Sequence, residues 1–311
     1  MNTEPLYDID SLITGGFLKV FLKNGGMLMG TKLILAEGLP GSGKSTIAQI
    51  TDEILNEIGI EHKLFCEGNL EHPADFDRVS CMNHQKYNEL TNKHEKYLEL
   101  IKMNTVQKGD NFFISYAKLM NELGDNYPDE LLNTIMEYDI YELSLDRHID
   151  LILDRWTKFV DNVLQDNCTY IFECCFIQNP ITVSMLRDNS PKELTISYIK
   201  KLKKIIQPLN PILLYVNQNN IDVAFRKVAM ERSNSWLEGF VDYYTNRGFG
   251  KENKMNGIEG TIEILKSRKA LEMEILEVLD MEKIIIDNSF YDYDKTTKEI
   301  CNIINKKFNK K

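Results

Sequence analysis

The sequence predicts an α/β fold, an open parallel sheet of about five strands with helices on both faces. Three observations predict it. The first is the run Leu33-Ile34-Leu35-Ala36-Glu37-Gly38-Leu39-Pro40-Gly41-Ser42-Gly43-Lys44-Ser45-Thr46, which fits G-x-x-x-x-G-K-[ST] without a mismatch and reads as strand, loop and helix start. The second lies directly downstream. Apolar residues at Ile47, Ile50, Ile54, Leu55 and Ile58 make a helical stripe ending at Gly59, and His62-Lys63-Leu64-Phe65-Cys66 reads as a second strand. Strand, helix and strand form a βαβ unit, which requires parallel pairing and a right-handed crossover. The third is the return of the same rhythm after residue 168.

In that second half, Thr169-Tyr170-Ile171-Phe172-Glu173 is a strand and Pro191 to Ile206 a helix. Ile212-Leu213-Leu214-Tyr215-Val216 is another strand, followed by helices over Ile221–Glu231 and Ile262–Leu279. Lys283-Ile284-Ile285-Ile286-Asp287 is the last strand. Between the two halves, residues 75–167 read as a largely helical insert on the substrate side of the sheet. Glu89 to Met103 spaces Leu90, Tyr97, Leu98 and Ile101 between charges, and Ile149, Leu153, Trp156, Phe159, Val160, Val163 and Leu164 make an amphipathic helix. The stretch 111–116 is compatible with helix or strand, and Gly124-Asp125-Asn126-Tyr127-Pro128 is a turn. No repeat or low-complexity linker interrupts the chain.

Residues 1–28 stand apart, and the domain proper is expected over 29–311. Met29 directly precedes the first strand, and Gly25-Gly26 is encoded GGN-GGN, which can spell a ribosome-binding site. Two readings are open: an over-called start with initiation at Met29, or a genuine but dispensable arm. A natively expressed peptide from residues 3–22, detected by mass spectrometry, would rule out the first.

Bulk properties restrict the function classes. The chain has 311 residues, 43% of them hydrophobic, and can bury one large core. A net charge of −10 argues against nucleic acid held by broad electrostatics. Lys200, Lys201, Lys203 and Lys204 interleave with Leu202, Ile205 and Ile206, as on the wet face of a helix. The six cysteines lack C-x-x-C spacing and read as reduced core thiols of a cytoplasmic protein. No apolar run approaches a membrane span.

The chemistry lies in the glycine-rich loop. Gly38, Leu39, Pro40, Gly41, Ser42 and Gly43 curl the backbone so that successive N–H groups point into one concavity, closed by the helix that begins at Lys44-Ser45-Thr46. Such a loop holds the phosphates of a nucleoside triphosphate, ATP being the expected one. Lys44 reaches the β- and γ-oxygens, and the Ser45 hydroxyl is a Mg²⁺ ligand.

Three apolar runs ending in an acid compete to supply the second magnesium element. Asp154 falls within a helical stripe, and Asp287 ends an outer strand nearer a base than the phosphates. Glu173 ends a β-rich strand and precedes the loop Cys174–Pro180, so it is selected. At the mouth of the sheet, Glu67, Glu71, His72, Asp75 and Arg78 crowd one loop beside the expected γ-phosphate, where an acceptor would bind. Glu67 is the candidate base for the acceptor hydroxyl, with Asp75 and His72 in reserve. His84, His94 and His148 have no metal-ligand spacing and read as surface residues. Trp156 and Trp236 read as packing residues, with ligand contact the alternative for Trp236 in the lid. Residues 226–257, glycine-rich and carrying Arg226, Arg232 and Arg247, read as a cationic lid with Arg232 as its catalytic cation.

On these residues the chain resembles the P-loop nucleoside and nucleotide kinases, especially the thymidylate-kinase and deoxynucleoside-kinase branch. Glu37-Gly38 is similar to the E-G that opens the loop there. Glu67 stands where deoxynucleoside kinases carry the glutamate that activates the acceptor, and Glu173 matches the first acid of their E-R-S or D-R-x motif. The three arginines fall where the family has its lid. The resemblance covers residues 31–72 and 169–290 and leaves the insert unmatched. Gly68 follows Glu67 where the family has proline, and Cys174-Cys175 replaces Arg-Ser, so the family's substrates do not carry over. The leading reading is a Mg-ATP-dependent phosphotransferase acting on a small-molecule acceptor, nucleoside-like, nucleotide-like or antibiotic-like; the charge and the lack of a long apolar run argue against a nucleic-acid or membrane partner. The competing reading is an ATPase or nucleotide switch whose helical lobe binds a protein.

Overall fold

A computed structural model describes residues 30–124 and 127–308; the segment 1–28 lies outside the described residues. Five parallel strands form the main sheet: β1 (Leu33–Gly38), β2 (His62–Phe65), β6 (Thr169–Glu173), β7 (Ile212–Asn217) and β8 (Glu282–Asp287), in the order β2-β6-β1-β7-β8. The P-loop strand is therefore central, with Leu35 opposite Phe172 on one side and Leu213 on the other. Every β1 residue is buried, which explains its unbroken apolar run in place of alternation.

Alternate side chains divide the core into two layers. Ile34, Ala36 and Ile171 pack under α1 (Lys44–Glu57) and α13 (Tyr293–Phe308), meeting Ile47, Ile50, Ile54, Ile300 and Ile304. Tyr170 and Phe172 face the other way. They meet Trp156 and Phe159 on α6 (Leu145–Val163), Trp156 being fully buried at 5.7 Å from Phe172.

The insert departs from the helical expectation. Residues 79–115 contain a three-stranded antiparallel sheet, in the order β3 (Val79–Asn83), β5 (Asn111–Ser115), β4 (Thr105–Lys108). Around it lie the helices α2 (His84–Lys93), α3 (Leu98–Met103), α4 (Tyr116–Leu123) and α5 (Asp129–Met136). This lobe has its own core, in which Met82 and Ile114 of the sheet meet Leu90, Ile101, Leu119 and Leu131. The strands are short and half polar, so helix periodicity on either side masks them. Two histidines also depart from the expected surface. His94 is buried, and His148 is buried with its ring nitrogen Nδ1 3.0 Å from the Ile140 carbonyl; burial lowers its pKa to about 4.

After β6 the chain forms the short helix α7 (Gln178–Ile181), a π-helical stretch over Thr182–Arg187, and α8 (Lys192–Ile206). The expected lid region is helical, comprising α9 (Ile221–Glu231), α10 (Asn234–Asn246) and α11 (Gly248–Glu252), followed by α12 (Gly257–Val278). No helix among the described residues is long and apolar enough to cross a membrane.

Candidate active site

The phosphate loop joins β1 to α1 and is built on glycines with positive φ at 38, 41 and 43. A Cβ on Gly38 would lie 2.5 Å from the Val216 carbonyl, and one on Gly43 would lie 2.4 Å from Asn288 Nδ2. Close packing and backbone conformation therefore both demand glycine. The outside of the loop is held by the ends of the neighbouring strands. Asn288 Nδ2 and Gln218 Nε2 donate to the Ser42 carbonyl at 2.8 and 3.2 Å, and the Tyr291 hydroxyl donates to that of Gly41 at 3.2 Å. Ser45 and Thr46 are exposed at the start of α1.

Lys44 is buried, and its ammonium donates to the Leu39 carbonyl at 3.0 Å. Burial disfavours this charge, but Cys174, Glu67, Glu173 and Glu37 around it more than offset that penalty and raise its pKa. The Ser45 hydroxyl donates to Glu173 Oε1 at 2.5 Å. Phe65 of β2 is in register with Phe172 of β6, so the chain leaves both strands side by side and brings Glu67 next to Glu173. The backbone N–H of Glu67 donates to Glu173 Oε2 at 3.4 Å. The Glu67 carboxylate accepts from the Cys174 thiol at 3.4 Å and from Gln178 Nε2 at 3.2 Å. One ligand atom each from Glu67, Glu173 and Cys174 lie within 4.8 Å of one another. Lys44, Ser45, Glu67 and Glu173, selected separately along the sequence, thus share one crevice.

Glu37 has a second role that motif matching does not show. It is fully buried, and its carboxylate accepts from the backbone N–H groups of Phe176 and Gln178 at 2.7 and 2.9 Å. Burial pushes its pKa up to about 7 against those hydrogen bonds. It is a strut between the P-loop strand and the loop that carries Cys174 and Gln178.

The loop expected to bind the acceptor divides. Asp75 accepts from the Tyr141 hydroxyl at 2.5 Å and from Asn179 Nδ2 at 2.9 Å, facing the loop after β6. Glu71 is exposed and paired with Lys118, and Arg78 is exposed just before β3. His72 is not a surface ligand. It is buried between Phe65 and Phe172, its Nδ1 accepts the Ala74 N–H at 3.2 Å, and burial lowers its pKa to about 3. A neutral ring locked in that way is a poor candidate for binding or proton transfer.

Burial pushes the Asp75 carboxyl up to about 6, against the hydrogen bonds from Tyr141 and Asn179. Between its ordinary 3.8 and about 6 the folded chain holds a proton that the unfolded chain has lost. Stability contributed by this group is therefore full below that window, falls as pH rises through it, and is flat above. Replacing Asp75 with Asn removes this dependence. Denaturant melts at about pH 4 and pH 7 should show wild-type stability dropping, relative to the variant, by about 2–3 kcal/mol. A difference that does not change with pH would contradict the shift.

The lid arginines are occupied elsewhere. Arg226 pairs with Asp222 and Glu259, both at 2.5 Å, and Arg247 with Glu142 at 2.6 Å. Arg232, exposed at the end of α9, places its guanidinium 5.8 Å from the Trp236 ring and bonds no crevice residue. More informative is a buried network on α12. Arg268 and Glu272, both with no exposed surface, pair at 2.8 Å. Arg268 donates to the Gln178 carbonyl, to Thr182 and to Tyr244, while Glu272 accepts from the Tyr215 hydroxyl at 2.5 Å. The network ties the loop after β6 to α10, α12 and β7. Its sequence signal is that Arg268 and Glu272 fall in phase with Ile264, Leu265, Leu271 and Ile275, on the apolar stripe.

No protein-family model matches the chain, and no curated protein matches it. Among solved structures, it is similar to deoxyadenosine kinase from M. mycoides with bound dATP, at 16% identity over 88% of this chain and 99% of that one, with a TM-score of 0.40. It is also similar to thymidylate kinase from Candida albicans, at 15% identity over 89% and 92% of the two chains, with a TM-score of 0.41. The P-loop α/β fold itself stands on the strand order and loop geometry above.

Proposed function

We propose that this protein is a Mg-ATP-dependent kinase that transfers a phosphoryl group to a small-molecule acceptor. The observation that carries the reading is the second carboxylate. Glu67 lies in the crevice of Lys44 and Ser45, oriented by Gln178 and Cys174, in addition to the Glu173 that contacts the Ser45 hydroxyl. A nucleotide switch needs the phosphate loop and one metal-side acid. A kinase also needs a carboxylate to orient the acceptor hydroxyl.

In this reading the P-loop amides and Lys44 bind the β- and γ-phosphates. Ser45 and Glu173 fit a magnesium ion: both present hard oxygen donors already in contact, as an ion that keeps several waters requires. Bound there, the ion would supply charge neutralisation to the phosphate oxygens. Glu67 accepts the proton of the acceptor hydroxyl as the hydroxyl oxygen bonds to the γ-phosphorus and the bond from that phosphorus to the β–γ bridging oxygen breaks, releasing ADP. Asp75, Tyr141 and Asn179 form the polar floor for the rest of the acceptor. Arg232 is the lid cation, brought in by closure of 226–257.

The test is ADP formation across nucleosides, nucleotides, sugars and aminoglycosides. Turnover that stays slow until one class is added supports the kinase; stimulation by a protein partner alone supports the switch. A further expectation concerns the metal. Glu173→Gln keeps the shape and loses the charge, so ATP should still bind while the magnesium concentration needed for half-maximal turnover rises sharply. An unchanged magnesium titration would remove Glu173 from the metal's coordination shell.

A further inference from the structure

A cavity of about 400 Å³ opens over the edge strand β2, between α6 and the insert sheet. It shares no residue with the P-loop, and neither Glu67 nor Glu173 lines it. Its volume lies within the usual ligand range of roughly 300–1,000 Å³. Four cations line it, Lys63, Lys108, Arg155 and Lys158, against one acid, Asp154, which is already bonded to Lys158 at 2.5 Å. The wall thus carries an excess of three positive charges on a chain whose net charge is −10.

Asp154 is the acid of the lining, and Arg155 also feels Asp75 and Glu71 on the loop behind it. Arg155 stands 4.2 Å from the centre of the Phe76 ring and donates to the His72 carbonyl, while its buried Nε has no hydrogen-bond partner. Lys63 and Lys108 lie over the rings of Tyr170 and Phe113, each at 5.8 Å. Burial, and then repulsion from Lys158 and Arg155, lowers the pKa of Lys108. The rings supply the other half of the chemistry. Phe76 stacks on Phe113 at 5.7 Å, and Phe65 on Tyr170 at 6.4 Å, with Phe65 and Phe113 only half-buried. The ring faces already carry neighbours, so the half-buried Phe65 and Phe113 offer their edges to a flat ring, and the cations around them offer charge-assisted bonds to an anion.

We propose that this cavity is a second ligand site, separate from the phosphate loop, which binds a flat aromatic ring bearing a phosphate. The site does not depend on the kinase reading, because none of its residues takes part in it except through the contact of Arg155 with the acceptor-side loop. The probe is 1-naphthyl phosphate, followed by its own fluorescence, on the full chain. Saturable binding is expected in the wild type, at equal affinity in Lys44→Ala. Weakening by at least about tenfold is expected in the double variant Lys108→Glu/Lys158→Glu, whose exposed side chains leave the fold intact by circular dichroism. Much weaker binding of 1-naphthol would confirm that the anion is read. Binding lost in Lys44→Ala and retained in the double variant would place the probe in the P-loop and overturn the proposal. So would the absence of saturable binding.

Discussion

Replacing Lys44 with Ala is expected to lower turnover by at least about 10²–10³-fold while leaving the fold in place. Among the described residues the ammonium is the side-chain cation within the phosphate loop, whose other donors are backbone N–H groups, and it stands among Glu37, Glu67 and Glu173. Its hydrogen bond is to the Leu39 carbonyl within its own loop, so its loss unties no other element. The charge that it adds matters most when negative charge shifts on the moving phosphoryl group, a transition-state effect of a cation that is itself buried. Turnover and thermal melting measured on the same sample check both halves. Near-normal turnover with a normal melt would remove this loop from the chemistry.

The second large effect is expected at Glu67. Its carboxylate is held by Gln178 and Cys174 at the end of β2, while the proposed ATP site is built by β1, its loop and α1. Glu67→Gln should therefore reduce transfer to the acceptor by about 10²–10⁴-fold and leave nucleotide affinity almost unchanged. The amide can still meet Gln178 and Cys174, so the fold gives no reason for a general loss. If ATP affinity collapses and transfer falls only in proportion, Glu67 is a metal or scaffold residue and the proton acceptor must be sought at Asp75.

The main sheet was legible because its three central strands are buried parallel strands, which read as apolar runs. Leu33–Gly38 and Ile212–Asn217 are the clearest cases. The phosphate loop was legible because only glycine tolerates its φ angles and neighbours. The insert sheet was not, because Thr105–Lys108 is mostly exposed and Val79–Asn83 is too short and mixed for an alternation to emerge. Local pattern failed in a different way at His72 and Arg268. A histidine in a polar loop reads as an acceptor-side group, and an i,i+4 Arg–Glu pair is common on exposed helix faces, so only its phase with the apolar stripe marks it as buried. Tertiary packing against Phe65 and Phe172 buries the first, and hydrogen bonds to Tyr244, Thr182 and Gln178 hold the second. Glu67 and Glu173 were found along the chain as two ends of strands; their meeting depends on the adjacency of β2 and β6, which spacing does not encode.

The central claim is that one crevice binds ATP and activates an acceptor, and phosphoryl tracing tests it most directly. With ATP labelled in its γ-phosphate and a stimulating small molecule from the screen, mass spectrometry should find the label in the phosphorylated small molecule, one per ADP formed, in the wild type and not in Lys44→Ala. Label released only as inorganic phosphate, at a rate that the small molecule does not change, would contradict the account.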